Sequence, residues 1–275
     1  MAGRIEKKFR ELARRGEAAL VPFVFAGDPD FERTHRIVLE LEARGADLIE
    51  LGVPFSDPMA DGPANQRAGA RALRAGASVA AILGLVSDLR KATEIPIVLF
   101  GYYNPILQYG PERFAADAAR AGADGCLMVD LPPEEAAELK GPARQHGIDL
   151  IYLLAPTTPM ARAHRIVRSA SGFLYYVSVT GVTGTRTELD SGLEPRVREL
   201  KTITRLPIGV GFGISTAEQA GRVASFAAAV VVGSAFSLLI EAHPETPETA
   251  VGELAGAMKA AIRAAAGGPP SPAAS

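Results

Sequence analysis

The sequence predicts a (β/α)8 (TIM) barrel, and three observations predict it. Eight short apolar runs recur along the chain, at 20–26, 47–52, 96–101, 125–130, 149–154, 173–178, 207–211 and 228–232. They are rich in β-branched or aromatic residues and largely lack polar alternation, which is how strands buried on both faces of a parallel sheet read. Amphipathic stretches separate the runs, so strand and helix alternate over about 230 residues, and right-handed crossovers close such a chain into a barrel. The connection Gly-Ala-Asp enters two of the strands, as Arg44-Gly45-Ala46-Asp47 and as Ala121-Gly122-Ala123-Asp124. A length of 275 residues is normal for one such barrel. An open doubly wound sheet is the alternative, but it advertises a glycine-rich turn after its first strand. Here Phe25-Ala26-Gly27-Asp28 follows that strand and carries no GxGxxG.

Each element has its own signal. Ile5, Phe9 and Leu12 fall at i, i+4 and i+7, so residues 4–15 predict an extra N-terminal helix capping the bottom of the barrel. Residues 30–44 place Phe31, His35, Val38, Leu39 and Leu41 at helical spacing, after Asp28-Pro29-Asp30. Further helices are expected at 78–92, 111–121, 133–146, 158–170, 193–204 and 215–223. Pro111-Glu112, Pro132-Pro133-Glu134-Glu135 and Ser215-Thr216-Ala217-Glu218 suit helix starts. Gly45, Gly122 and Gly147 suit left-handed ends. Residues 1–263 are expected to form a single barrel domain, and 264–275 to be a tail of disordered composition.

Composition excludes several classes. Hydrophobic residues make up 48% and charged residues 22%, enough apolar material for a full core. The net charge of −2 offers no electrostatic case for nucleic acid or an anionic membrane, so a phosphate ligand must be held by local geometry. The single Cys126 rules out an internal disulfide framework and suits a reducing cytoplasm. Residues 1–8 are charged and lack an apolar run, so no signal peptide is expected, and no apolar stretch is long enough for a membrane span.

Barrel enzymes carry their catalytic groups at the C-terminal ends of the strands. Read there, the chain offers Phe23, Glu50, Phe100, Tyr102, Leu154, Tyr175, Phe212, Gly213, Gly233 and Ser234, an aromatic mouth suited to a flat aromatic ligand. Glu50 ends an apolar run, and eleven residues later Asp61 sits in a loop punctuated by Pro and Gly. Two carboxylates in such a setting are candidates for an acid–base pair, or are two solvated acids on a surface loop. Gly211-Phe212-Gly213-Ile214-Ser215-Thr216 and Gly233-Ser234-Ala235 each follow a strand and open a helix. That is the pattern of a phosphate site after strands seven and eight, with backbone N–H groups facing the anion. Residues 181–189, glycine-bounded and polar, form a lid or an ordinary surface loop. The lysines all fall on helices or termini, against a Schiff-base mechanism, and the four histidines do not cluster as metal ligands.

The segment from Glu50 through Val53-Pro54-Phe55-Ser56-Asp57-Pro58-Met59-Ala60 to Asp61-Gly62-Pro63 resembles the tryptophan synthase α-subunit family. Gly101-Tyr102-Tyr103-Asn104-Pro105, Val129-Asp130-Leu131-Pro132, residues 175–184, Gly211–Ser215 and Gly233-Ser234-Ala235 support the resemblance. It covers nearly the whole chain. It implies a lyase that splits indole-3-glycerol phosphate into indole and glyceraldehyde 3-phosphate by a retro-aldol step. It implies no cofactor in this chain, and a β-subunit partner in an α2β2 heterotetramer that carries pyridoxal phosphate and consumes the indole. Glu50 would then be acid and base in turn, and Asp61 would hold the indole N–H. Phe23, Phe100, Tyr102, Leu154 and Phe212 would pack the ring, and Tyr175 would position Glu50 or the substrate. Gly184, Gly213, Gly233 and Ser234 would hold the phosphate, Thr183 would order near Asp61, and Asp57 would signal to the partner. Three rivals remain at this point: a free-standing lyase with the same residues, a non-catalytic regulatory subunit, and another phosphate-binding barrel enzyme.

Overall fold

A computed structural model describes residues 3–177, 192–211 and 213–266. The chain opens with α1 (Arg4–Arg14), β1 (Ala19–Phe25), α2 (Phe31–Ala43), β2 (Ile49–Gly52), α3 (Pro63–Arg74), α4 (Val79–Leu89) and β3 (Ile97–Gly101). It continues through α5 (Tyr103–Tyr109), α6 (Pro111–Ala121), β4 (Gly125–Met128), α7 (Ala137–His146), β5 (Asp149–Leu150), β6 (Tyr152–Leu154), α8 (Met160–Ser169) and β7 (Leu174–Val177). It ends with α9 (Leu193–Lys201), β8 (Ile208–Gly211), α10 (Ala217–Ala224), β9 (Ala229–Val232), α11 (Ser234–Ala242) and α12 (Pro247–Ala266).

All the strand pairs are parallel, in the order β5-β4-β3-β2-β1-β9-β8-β7-β6. The two ends of that order, β5 and β6, are pieces of one extended segment broken only at Ile151, whose N–H donates to the Cys126 carbonyl at 3.0 Å. The segment pairs with β4 through its first half and with β7 through its second, which makes the sheet a barrel. Every one of the eight apolar runs holds strand.

Strand periodicity splits the core into two layers. On β1, Ala19, Val21, Phe23 and Phe25 face the barrel interior, together with Leu48, Val98, Phe100, Leu127, Ile151, Phe173, Tyr175, Ala229 and Val231. Leu20 and Val24 face outward into a larger layer shared with the helices. Ile5, Phe9 and Leu12 of α1 belong to the interior set, and the rings of Phe9 and Phe173 lie 5.6 Å apart. The N-terminal helix therefore plugs the bottom of the barrel, and each large side chain it buries contributes roughly 1.5–3 kcal/mol.

Three helices lie beyond those expected. The buried positions of α3 are Ala68, Gly69 and Ala72, so the helix buries a face without the large apolar residues that signal one. α5 is a seven-residue helix, and α12 runs to Ala266, so 264–266 are helical and the expected tail boundary at 263 moves outward. α7 starts at Ala137, not at 133, because residues after Pro132 form a turn closed by Glu135 N–H on the Pro132 carbonyl. No single described helix is long and apolar enough to cross a membrane.

Candidate active site

Period-two alternation turns Leu48 and Glu50 into the barrel from the same strand. Glu50 stands opposite Phe23 on β1 and Val98 on β3. It is 1% exposed, and neither carboxyl oxygen has a hydrogen-bond partner among the described residues. Burial alone pushes its pKa up from 4.5 to about 8. Around it, Phe23 and Phe100 meet edge-on with ring centroids 5.1 Å apart, and Phe100 and Tyr175 lie at 6.3 Å. Burial, and then the Glu50 charge, hold the Tyr175 hydroxyl far above its ordinary pKa. Two glycines make room for these rings. A Cβ on Gly52 would lie 2.8 Å from both Phe23 and Phe25, and one on Gly211 would lie 2.0 Å from the Tyr175 hydroxyl.

Asp61 reaches the same space from the loop between β2 and α3. Its backbone carbonyl accepts from Gln66 Nε2 at 2.8 Å, and the Ala60 N–H donates to the Tyr102 hydroxyl at 2.9 Å. Burial lifts the Asp61 carboxyl from 3.8 to about 6, and a hydrogen bond with Tyr102 opposes the rise. The two carboxyl groups thus sit on opposite sides of neutral pH, Glu50 protonated and Asp61 ionised, as an acid and a charge-stabilising base require.

One cavity of about 250 Å³ collects Phe23, Glu50, Asp61, Phe100, Tyr175, Gly213, Gly233 and Ser234. Tyr102 is buried beneath the loop and meets the site through Ala60 and Asp61, not as a cavity wall. Leu154 does not belong to the cavity. It packs into the outer layer against the helices, while Leu153, one residue earlier, packs with the interior set. Asp57 is exposed on the loop. Thr183, Gly184 and Phe212, and the whole of 181–189, lie outside the described residues. The lining also includes Ile214 and Ala235 from the two glycine motifs, and Asn65, Val231 and Leu238, which the sequence did not single out. Val231 was reachable by counting back two from Gly233, whereas Asn65 sits on the unforeseen α3.

The two helix starts near the mouth differ. α10 caps itself: the Gln219 side chain accepts from the Ser215 and Thr216 N–H groups at 2.8 and 3.2 Å, and Thr216 Oγ1 accepts from the Gln219 N–H. α11 begins at Gly233, which provides no side-chain cap. Of the two, α11 keeps its terminus open to an anion. Among the described residues, no group of three or more His, Cys, Asp and Glu side chains is placed to hold a metal ion.

Comparison with known proteins gives the family. The family model for the tryptophan synthase alpha chain matches residues 9–265. A tryptophan synthase alpha chain from Geobacter sp. (strain M21) is 59% identical over 240 residues, covering 87% of this chain and 90% of the relative. One from Geotalea uraniireducens (strain Rf4) is 53% identical over 265 residues, covering 96% and 99%. The crystal structure of tryptophan synthase subunit alpha from Legionella pneumophila str. Paris superposes with a TM-score of 0.88 at 41% identity, over 95% of this chain and 99% of that one. A Mycobacterium tuberculosis tryptophan synthase structure gives 0.88 at 34% identity, over 96% and 99%. With the family model matching almost end to end and relatives more than half identical, the chain belongs to the tryptophan synthase alpha chain family.

Proposed function

We propose that Glu50 and Asp61 carry out the reaction of this family in the cavity between β2, β3 and α11. Tryptophan synthase alpha chains are lyases of tryptophan biosynthesis that cleave indole-3-glycerol phosphate to indole and glyceraldehyde 3-phosphate. The observation that carries the assignment is the fully buried Glu50 carboxyl, without a hydrogen-bond partner among the described residues, facing a cavity that also holds Asp61.

Glu50, protonated at neutral pH, gives its proton to indole C3 and leaves the ring cationic. Ionised Asp61 accepts the indole N–H and stabilises that charge. The Glu50 carboxylate then takes the proton of the side-chain hydroxyl next to C3. The bond from C3 to the glycerol carbon breaks, its electrons return to the ring, and an aldehyde forms. Glu50 ends protonated, so the cycle closes without a cofactor. Phe23, Phe100 and Tyr175 pack the ring, and Gly213, Gly233 and Ser234 hold the phosphate at the start of α11. Thr183, Gly184 and Phe212 belong to the same proposal through the family resemblance alone, as does Asp57 as a contact toward the partner.

The partner is the β subunit, with which family structures form complexes, and pyridoxal phosphate belongs to that subunit. An α2β2 heterotetramer in the cytoplasm fits a biosynthetic enzyme whose only cysteine, Cys126, is buried and free. Purified protein mixed with indole-3-glycerol phosphate, alone and with β subunit, tests the function through a dehydrogenase coupled to glyceraldehyde 3-phosphate. Slow cleavage accelerated by the partner is the expected result. No cleavage in either mixture overturns the assignment, and fast cleavage that the partner does not change identifies a free-standing lyase.

A further inference from the structure

We infer that Asn65 is a further substrate ligand, donating from its side-chain Nδ2 to the phosphate end of the substrate; the inference rests on the phosphate placement proposed above. Asn65 lies in the first turn of α3 and lines the cavity. Its orientation is set from outside the cavity. Ser237, 1% exposed on α11, donates its hydroxyl to Asn65 Oδ1 at 3.0 Å. A carboxamide has one oxygen and one NH2 group, so engaging the oxygen with α11 leaves the donor end free to face elsewhere. That end points to the start of α11: Nδ2 lies 3.8 Å from the place a Cβ on Gly233 would occupy. A neutral side-chain donor and the uncapped helix start thus converge on one spot.

The charges nearby are already committed. Arg67, which lines the cavity, is held by both carboxylate oxygens of Glu241 at 2.7 Å. Arg71 is held by both oxygens of Asp28, at 2.7 and 2.9 Å, and also reaches Glu241. These pairs fasten α3 to α11 and to the end of β1 without supplying a free cation. The Ser237–Asn65 bond joins the same two helices through a neutral pair and fixes which end of the carboxamide faces the cavity. Its distinct effect is to aim an amide.

The isosteric Asn65→Asp variant separates the two roles. It keeps an oxygen for Ser237, so a purely structural role predicts no change, but it turns the donor into an anion facing the phosphate. The variant is compared with wild type in complex with the β subunit, measuring KM and kcat for indole-3-glycerol phosphate and inhibition by glycerol 3-phosphate and by indole. Losing a hydrogen bond to a charged group predicts KM and the glycerol 3-phosphate inhibition constant rising about tenfold or more, with kcat within about twofold. Indole inhibition stays unchanged, because indole has no phosphate. Asn65→Ala repeats the pattern more weakly. Unchanged glycerol 3-phosphate inhibition in both variants overturns the inference, as does an equal loss for indole. Gly233→Asp is the control on the phosphate placement itself. If it abolishes glycerol 3-phosphate inhibition while the Asn65 variants do not, only the Asn65 role falls. If it leaves that inhibition intact, the placement falls and the Asn65 role with it.

Discussion

Asp47 and Glu50 are buried carboxylates three residues apart on one short stretch of chain, and the barrel treats them in opposite ways. Asp47, at the N-terminal end of β2, accepts from Lys259 Nζ at 2.6 Å and from the Leu20 N–H at 2.9 Å. Lys259, on α12, also pairs with Glu17, and is itself 2% exposed. Asp124, which enters β4 as Asp47 enters β2, is held by Arg90 at 2.7 Å, by Arg4 and by the Ile97 N–H at 2.9 Å. Glu50, inside β2 and turned into the barrel, has no hydrogen-bond partner for either oxygen among the described residues. Pairing a buried acid ties strands and helices together, whereas leaving one bare keeps a proton on it at neutral pH. The bottom of the barrel uses its carboxylates for cohesion, and the top leaves one without such a tie, in the place proposed above for the chemistry.

Removing the ionisable Glu50 carboxyl is the most direct attack on that contrast. Glu50→Gln should lower turnover by about 10²–10⁴-fold, the usual weight of a general acid–base group. The same change should make the protein more stable, and only at higher pH. The folded state keeps the Glu50 proton up to about 8, while the unfolded chain loses it near 4.5. Folding therefore takes up a proton between those values, and stability falls as pH rises through the window. Above it the loss levels off at about 5 kcal/mol. Denaturant titrations of wild type and Glu50→Gln should agree near pH 4.5 and diverge toward pH 8, with the variant the more stable. Near wild-type turnover, or curves that stay parallel, would break the assignment.

The mirror experiment is at the bottom. Lys259→Met leaves Asp47 with the Leu20 N–H and Glu17 with Arg263 but takes the buried cation from both carboxylates, and breaking a buried pair in this way costs about 3–5 kcal/mol. Chemical denaturation should show that loss, while kcat of the folded protein with the β subunit stays close to wild type. A collapse of kcat in protein that remains folded would mean the two ends are not separable.

Gly211 carries a smaller effect at the top. A Cβ there would lie 2.0 Å from the Tyr175 hydroxyl, and a buried tyrosine ring cannot retreat without moving the wall of the cavity beside Glu50. Gly211→Ala should cost up to about 10²-fold in kcat/KM, the scale of a displacement near 1 Å in a catalytic site. Circular dichroism should remain that of a folded barrel. Unchanged kcat/KM would show that Tyr175 does not position the reacting groups.

How legible each feature was depends on how much it contrasts with its surroundings. Glu50 stood out because a carboxylate closes an otherwise apolar run, and Asp61 because it sits among Pro and Gly. The eight runs were readable because strands buried on both faces are apolar throughout. The same property hid which way each residue faces. α3 escaped notice because its buried positions are Ala68, Gly69 and Ala72. With it went Asn65, whose role depends on Ser237 from a helix some 170 residues away in sequence (172 by number). The self-capping of α10 by Thr216 and Gln219 is a local pattern, and it singled out α11 as the open terminus once the caps were visible.

Leu153 and Leu154 show the limit of that reading and give the finest test of the two-layer barrel. In Asp149-Leu150-Ile151-Tyr152-Leu153-Leu154 both faces are apolar, so hydropathy does not choose between neighbours. The structure does, because Ile151 and Leu153 pack with the interior set while Leu150, Tyr152 and Leu154 pack with the helices. Truncating either residue removes the same atoms, so the two variants should differ in which property they damage. Leu154→Ala empties a site in the outer layer and should cost about 2–5 kcal/mol of stability, with KM for indole-3-glycerol phosphate unchanged. Leu153 is only partly buried and packs against the interior layer that holds Phe100 and Tyr175, so Leu153→Ala should cost less stability and act through that layer, raising KM a few-fold. Paired denaturation curves and KM values decide it, and a Leu154→Ala variant that weakens substrate while keeping its stability would put Leu154, and not Leu153, in the layer that supports the site.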